Sequence, residues 1–326
     1  MRSAQNHIVK WLMVTMMAAL PAGMCPRALA QADLTTTMGR YADDPSTKLG
    51  AQEAETYLKF PIQRLKAVVP GLGGIKYDDS QEQLPLILNR VAKQIANVLP
   101  RLPDLISRED VYHFQSMADA DAVGSLAATQ PWGRQFKYLL QCKRNPDGST
   151  SIAESRIDGA GKLVNEYGGF TSVRGYGFSN MWLFFTAAVQ PEFHFRYLGM
   201  QEKSGRKTYV VAFAQEPKKV FAPAFFEVNN KKVPFYYQGI LWVDQSTFNI
   251  VDLRTDLLAP LPQLSLKQLT TELTFRSVVI HGYDAVFWLP SEVDISSDQG
   301  QGPSQETHRY SDYHLFHAQA RIVDNP

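Results

Sequence analysis

The run Leu269-Thr270-Thr271-Glu272-Leu273-Thr274-Phe275-Arg276 decides the fold class. Leu269, Thr271, Leu273 and Phe275 fall on one side of an extended chain, and Thr270, Glu272, Thr274 and Arg276 on the other. A period of two marks a strand with one buried face, and its β-branched and aromatic residues favour that state. The same period recurs on either side. Upstream, Phe136, Tyr138, Leu140 and Cys142 alternate with Lys137, Leu139, Gln141 and Lys143. Asn145-Pro146-Asp147-Gly148 then turns the chain into Ser151 to Ile157. Thr208 to Gln215 is a further strand. Gly239 to Asp244 passes through Gln245-Ser246-Thr247 into Asn249 to Leu257 as a hairpin, and Val286 to Ile295 and His308 to Ile322 follow. About nine strands with no intervening helical repeats predict an antiparallel meander that must curl, close or stack.

Ahead of the strands the period becomes helical. Leu84, Ile87, Leu88, Val91, Ile95 and Val98 form one apolar stripe, ended by Pro100 and Pro103. Ser80 and Gln83 have the spacing of a capping box. A weaker helical pattern from Gln52 to Val69 breaks at Pro61 and stops at Pro70-Gly71-Leu72-Gly73-Gly74. Residues 31–50 read as a polar lead-in. The fold expected is α+β: a curved antiparallel sheet, an open half-barrel, covered by N-terminal helices.

Residues 1–30 read as a secretory signal. Arg2 and Lys10 make the basic start, Trp11 to Leu20 the short apolar run, and Ala28-Leu29-Ala30 the cleavage pattern, with cleavage expected after Ala30. Cys25 offers lipidation as an alternative, ranked lower because Met24 is bulkier than the residue usual before a lipidated cysteine. The expected location is periplasmic or secreted, with no membrane span after cleavage. The chain then divides into the signal (1–30), a flexible and helical region (31–107) and a sheet domain (108–326). Of 33 basic residues, Arg2, Lys10 and Arg27 lie in the signal, leaving 30 against 32 acidic, a net charge of −2. Such a balance, without a basic stripe, argues against a nucleic-acid partner. Cys142 is then the one remaining cysteine, so no internal disulfide can form. The lack of any Asn-x-Ser/Thr acceptor favours a bacterial periplasm.

The hairpin Gly239-Ile240-Leu241-Trp242-Val243-Asp244-Gln245-Ser246-Thr247-Phe248-Asn249-Ile250-Val251, the later Phe287-Trp288-Leu289-Pro290 and the earlier Gly205-Arg206-Lys207-Thr208-Tyr209-Val210-Val211 carry a family resemblance. Together they resemble the periplasmic lipoprotein carrier (LolA-like) superfamily over roughly residues 190–295. That resemblance implies an unclosed antiparallel barrel lidded by helices and a role in outer-membrane lipoprotein sorting. The longer region 31–107 looks more like uncharacterised exported bacterial proteins.

Glu306, His308, Asp312 and His314 share a face on an unbroken strand and form the best metal candidate. The preferred reading is a polar outer face of a terminal strand, with no metal. No nucleophile elbow, zinc helix or phosphate loop occurs, and the Gly168-Gly169 and Gly175–Gly177 pairs read as turns. No enzyme activity and no cofactor are therefore expected. Cys142 reads as a small buried hydrophobe. The aromatic crowding between Phe178 and Phe195, followed by Phe225, marks an apolar groove lined by Trp182, Phe184, Phe185, Phe193, Phe195 and Phe225. The loop Ala259-Pro260-Leu261-Pro262-Gln263-Leu264 reads as a lid, a partner contact or the plain span of a wide hairpin. The function expected is a non-enzymatic carrier-like or binding protein for a lipid, an acylated partner such as a lipoprotein, or an apolar peptide. The alternative is an envelope interaction or sensor module with a filled core, whose partner is another envelope protein.

Overall fold

The computed structural model describes residues 45–115, 132–144, 150–164, 178–221, 223–228, 231–298 and 303–316. The signal, its cleavage site and Cys25, the turn at 145–148, the paired glycines at 168–169 and 175–177, and the end of the last expected strand lie outside them.

A single curved antiparallel sheet of 12 strands dominates, in the order β1-β6-β7-β10-β11-β12-β13-β14-β2-β3-β4-β5, with β1 and β5 at its two unjoined ends. Seven strands follow the predicted alternations: β3 (Trp132–Arg144), β4 (Thr150–Ile157), β7 (Arg206–Gln215), β10 (Tyr237–Asp244), β11 (Ile250–Leu257), β12 (Gln268–Val279) and β13 (Val286–Asp298). The last, β14 (Pro303–Leu315), begins five residues earlier than His308. Strands β2 (Leu105–Gln115) and β6 (Phe193–Lys203) were not foreseen, nor were the two-residue β1 (Lys76–Tyr77) and β5 (Leu163–Val164). Strands β8 (Ala224–Val228) and β9 (Lys231–Phe235) form a separate hairpin between β7 and β10. The simple meander expected is also broken three times: β1 pairs with β6, β7 pairs with β10 past that hairpin, and β14 pairs with β2, in register Tyr310↔Glu109 and His308↔Val111.

Three helices pack on the β6–β11 end, on opposite faces. α1 (Pro45–Glu53) takes up the last residues of the expected lead-in, and α2 (Ile62–Val68) starts directly after Pro61. The chain around α2, from Tyr57 to Ile75, buries Phe60, Leu65 and Leu72 against Leu198, Val210, Ile240 and Trp242 on the outer face. α3 (Leu84–Val98) is the predicted amphipathic helix. Its Ile87, Val91 and Ile95 turn to the inner face and share one core with Val211, Phe213, Leu241 and Leu253. Neighbouring strand residues point to opposite faces, so β10 serves both layers, Leu241 inward and Trp242 outward. The expected capping box is not made. The helix begins after Gln83 with Pro85 in its first turn and no side-chain cap. Gln81 instead turns back to β6, accepting from Tyr197 N (2.8 Å) and donating to Tyr197 O (3.1 Å).

At Gly239 the chain of β10 leaves no room for a side chain. A Cβ there would lie 1.9 Å from Arg254 O and 2.7 Å from the Phe213 ring. The predicted hairpin turn is built on Asp244, whose Oδ1 accepts from the amides of Ser246 (3.0 Å) and Thr247 (2.8 Å) while Oδ2 accepts from Arg206 (2.8 Å). These bonds outweigh the effect of burial and hold its carboxyl below the usual carboxylate range.

Candidate functional site

The inner face of the half-barrel holds two adjoining regions, one aromatic and one ionic. The aromatic region is a plug. Phe178–Phe185 forms a 3-10 run that drops onto the inner face beside α3. Trp182, Phe184, Phe185 and Phe193 are buried, and Phe195 is half-buried. Phe185 meets Phe213 edge-on at 5.2 Å between ring centroids, Phe184 lies 5.5 Å from both Phe193 and Tyr237, and Phe193 and Phe195 are 6.0 Å apart. Five of the six groove residues are thus brought together. The sixth is not: Phe225 and Phe226 are adjacent on β8, Phe226 turns inward to stack on Phe235 at 4.6 Å, and Phe225 turns outward under Lys232 Nζ at 4.5 Å.

The plug is fastened. Gln190 Nε2 donates to Leu88 O of α3 (3.0 Å) and to Phe185 O (2.9 Å), and Gln94 Nε2 donates to Asn249 Oδ1 at the β10–β11 turn (3.0 Å). The void left between Gln94, Val98, Trp182, Phe248, Phe275 and Trp288 has about 20 Å³, room for a water molecule. The loop 259–264 is not a free lid. Leu261 is buried and bridges to Leu266, and Gln263 donates to Thr47 of α1 (2.8 Å).

The ionic region lies on the same face at the β14–β2–β3–β4 end, where apolar residues would be expected. Glu109 on β2 is fully buried (0 % exposed), as is His308 on β14. Glu109 accepts from Arg156 Nε (2.6 Å) and Nη2 (2.7 Å), from Tyr310 OH (2.9 Å) and from His308 Nδ1 (2.8 Å). His308 Nε2 donates to Glu306 Oε1 (2.7 Å). An ionised carboxylate only accepts, so a histidine held between two of them donates from both nitrogens and carries a proton. The balance is two cations, Arg156 and His308, against two anions. Burial opposes each charge, yet the Arg156 ion pair and the His308 hydrogen bond hold the Glu109 carboxyl at about 2. Burial likewise lowers the His308 pKa, but its bonds to Glu109 and Glu306 win and raise it. Glu306 is held low by His113 and His308 against burial. Its Oε2 lies 3.5 Å from His113 Nδ1, and Phe178 of the plug covers the His308 ring edge-on at 5.1 Å.

This placement corrects the outer-face reading of the terminal strand. Glu306 and His308 point inward, and the unbroken strand assumed for Asp312 and His314 does not exist. Asp312 has φ +56° and the β14–β2 register shifts between Ser311 and His314, so parity flips and both side chains are exposed. Among the described residues, no three of His, Cys, Asp and Glu are gathered to hold a metal ion. Glu109, Arg156, His113 and Tyr310 were missed. The one signal available was polar Ser107 and Glu109 sharing the parity of Leu105 and Val111 on β2.

Cys142 is half-buried, and burial with the nearby Asp104 charge pushes its thiol up to about 12. Among the described residues, no helix is long and apolar enough to cross a membrane.

No family model matches the chain, and no curated protein matches it. Among solved structures it is similar to a domain described as outer membrane lipoprotein-sorting from Vibrio parahaemolyticus. The identity is 11 %, covering 69 % of this chain and 90 % of that one, with a TM-score of 0.35. It is also similar to a DUF1329 family protein from Desulfovibrio piger, with 11 % identity, 72 % and 94 % coverage and a TM-score of 0.38. A weaker likeness is to the Pseudomonas aeruginosa MucA/MucB complex, with 13 % identity, 69 % and 92 % coverage and a TM-score of 0.19. The open antiparallel half-barrel rests on the strand pairing above, which is the architecture expected of a LolA-like chain.

Proposed function

We propose that this chain is a non-enzymatic, extracytoplasmic binding protein whose half-barrel interior is a filled core and whose partner is met on its surface. The observation supporting this reading is the packed aromatic plug: Phe184, Phe185 and Phe193 pack against Phe213 and Tyr237, and the void next to Trp182 admits a water but no acyl chain. Export is inferred from residues 1–30 and places the partner in the cell envelope.

A carrier-like reading is favoured by a separate feature. The layer over the inner face is an eight-residue 3-10 run, a geometry uncommon beyond three or four residues and associated with hinges and strain. Lifting it would uncover Phe193, Phe195 and Phe213 to a lipid, an acylated partner or an apolar peptide, with Trp182, Phe184 and Phe185 closing over it. Each methylene buried there would contribute about 0.8 kcal/mol.

Native mass spectrometry with organic extraction, on protein purified from a periplasm, separates the two. A clean apoprotein mass, unchanged after incubation with phospholipid and fatty acid, is the expected result. A stoichiometric apolar mass that disappears in Phe193→Asp would overturn the filled-core reading and establish the carrier.

A further inference from the structure

In the turn leading into the β8–β9 hairpin, exposed lysines adjoin an exposed phenylalanine. From residue 216 to residue 235 the sequence carries four lysines (218, 219, 231, 232) against Glu216 and Glu227, a local net charge of +2 in a chain otherwise near balance. Lys218 and Lys219 stand exposed in a turn closed by Lys219 N donating to Glu216 O (2.8 Å), and neither makes an ion pair among the described residues. Glu216, the nearest acid in sequence, is turned toward His194 Nε2 at 3.2 Å. Phe221, two residues on, is 54 % exposed, and Phe225 is half-covered by Lys232.

The scaffold holds this surface outward. The opposite side of the hairpin, Phe226, Val233 and Phe235, is buried in the main core, so the outward side cannot turn in. The hairpin belongs to its own two-stranded sheet and is not continuous with the large one. Pro217, Pro223 and Pro234 restrict the backbone around it. A phenylalanine left in water beside lysines is unfavourable in isolation. It becomes favourable where phosphates meet the lysines and acyl chains lie just beneath.

We infer that this face docks the protein on an anionic lipid surface, with Lys218 and Lys219 meeting headgroup phosphates and Phe221 entering the interface below them. Lipid is favoured over nucleic acid because the apolar element adjoins the charges. The inference is independent of which interior reading holds: extraction reports on the core, and vesicle binding reports on this surface.

The test is co-flotation of the full chain with vesicles of mixed phosphatidylglycerol and phosphatidylcholine, against pure phosphatidylcholine. Binding is expected to the anionic vesicles alone and to be lost in about 0.5 M salt. Lys218→Gln with Lys219→Gln should weaken partition roughly 30-fold, about fivefold for each lysine, while the paired arginine variants keep it. Phe221→Ser should weaken it a further five- to tenfold, the worth of about half a buried phenylalanine. Any contribution from residues 1–30 is common to all variants and cancels in the ratios. Partition unchanged in the glutamine and serine variants, or equal binding to both vesicle types, overturns the inference.

Discussion

Replacing Glu109 with glutamine preserves the side chain's size and removes one charge from the inner face, which makes it the sharpest probe of the ionic region. The carboxylate accepts four hydrogen bonds, two from Arg156 and one each from His308 and Tyr310. An amide offers one accepting oxygen and a nitrogen that only donates, so an Arg156 N–H must face another donor. Two routes give the magnitude. Holding the carboxyl at about 2 instead of its ordinary 4.5 corresponds to about 3 kcal/mol of favoured ionisation. Breaking a buried ion pair from one side typically costs about 3–5 kcal/mol. A loss of about 3–4 kcal/mol is a large share of a domain's usual 5–15 kcal/mol. Urea denaturation followed by tryptophan fluorescence should show the midpoint fall by about 1–2 M with the slope unchanged. The double variant Glu109→Gln/Arg156→Met, which removes both charges, should be less damaged than Glu109→Gln alone. A midpoint within 0.3 M or so of the unmodified protein, or a double variant worse than the single, would refute the account of Glu109 as the network's obligatory counter-ion.

Stability should also fall at both pH extremes for separate reasons. His308, whose pKa is raised, contributes fully below the ordinary histidine pKa, and that contribution is lost as pH rises through its raised value. Glu109 and Glu306, held low, contribute above the ordinary carboxylate range and lose it as pH falls. Thermal melts from pH 4 to 10 should show His308→Gln flattening the alkaline decline, and an unchanged decline would assign it elsewhere. Gly239→Ala should abolish soluble expression or lower the melting temperature steeply, because its Cβ would overlap Arg254 O; wild-type melting would contradict that close approach. Phe185→Ala, at a site with no exposure, should cost about 3–5 kcal/mol in chemical denaturation, and a cost below 1 kcal/mol would mean the plug is loosely seated. Cys142 should react with a disulfide reagent at pH 8 at least tenfold more slowly in the folded than the unfolded protein, since burial disfavours its thiolate; equal rates would contradict this.

Strand alternation and the stripe on residues 84–98 were legible because each is a local periodic pattern with one buried face. They suffice for an antiparallel sheet with an amphipathic helix against it, and for its principal hairpin: Asp244 and the two residues that cap its turn are neighbours in sequence. The strands β2 and β6 were not legible. In Leu105–Phe114 both parities mix apolar with charged residues, since its inner face carries Ser107 and Glu109 as well as Leu105 and Val111.

The ionic region was hidden for the same reason. Glu109 and His308 are 199 residues apart and meet only because β14 pairs with β2. A strand's alternation says which residues share a face but not which face is inside. Glu306 and His308 read as a solvated outer edge until the long-range pairing turned them inward, and a single left-handed residue, Asp312, cut Asp312 and His314 away from them. By itself the sequence determined the secondary structure that periodicity can express and an apolar supply large enough for a core. The tertiary structure alone decided which aromatic side chains fill the barrel, which of two adjacent phenylalanines faces water, and where buried charges find partners. Those outcomes depend on strand order and bulges, which bring distant residues into one low-dielectric space and leave no local signature in the chain.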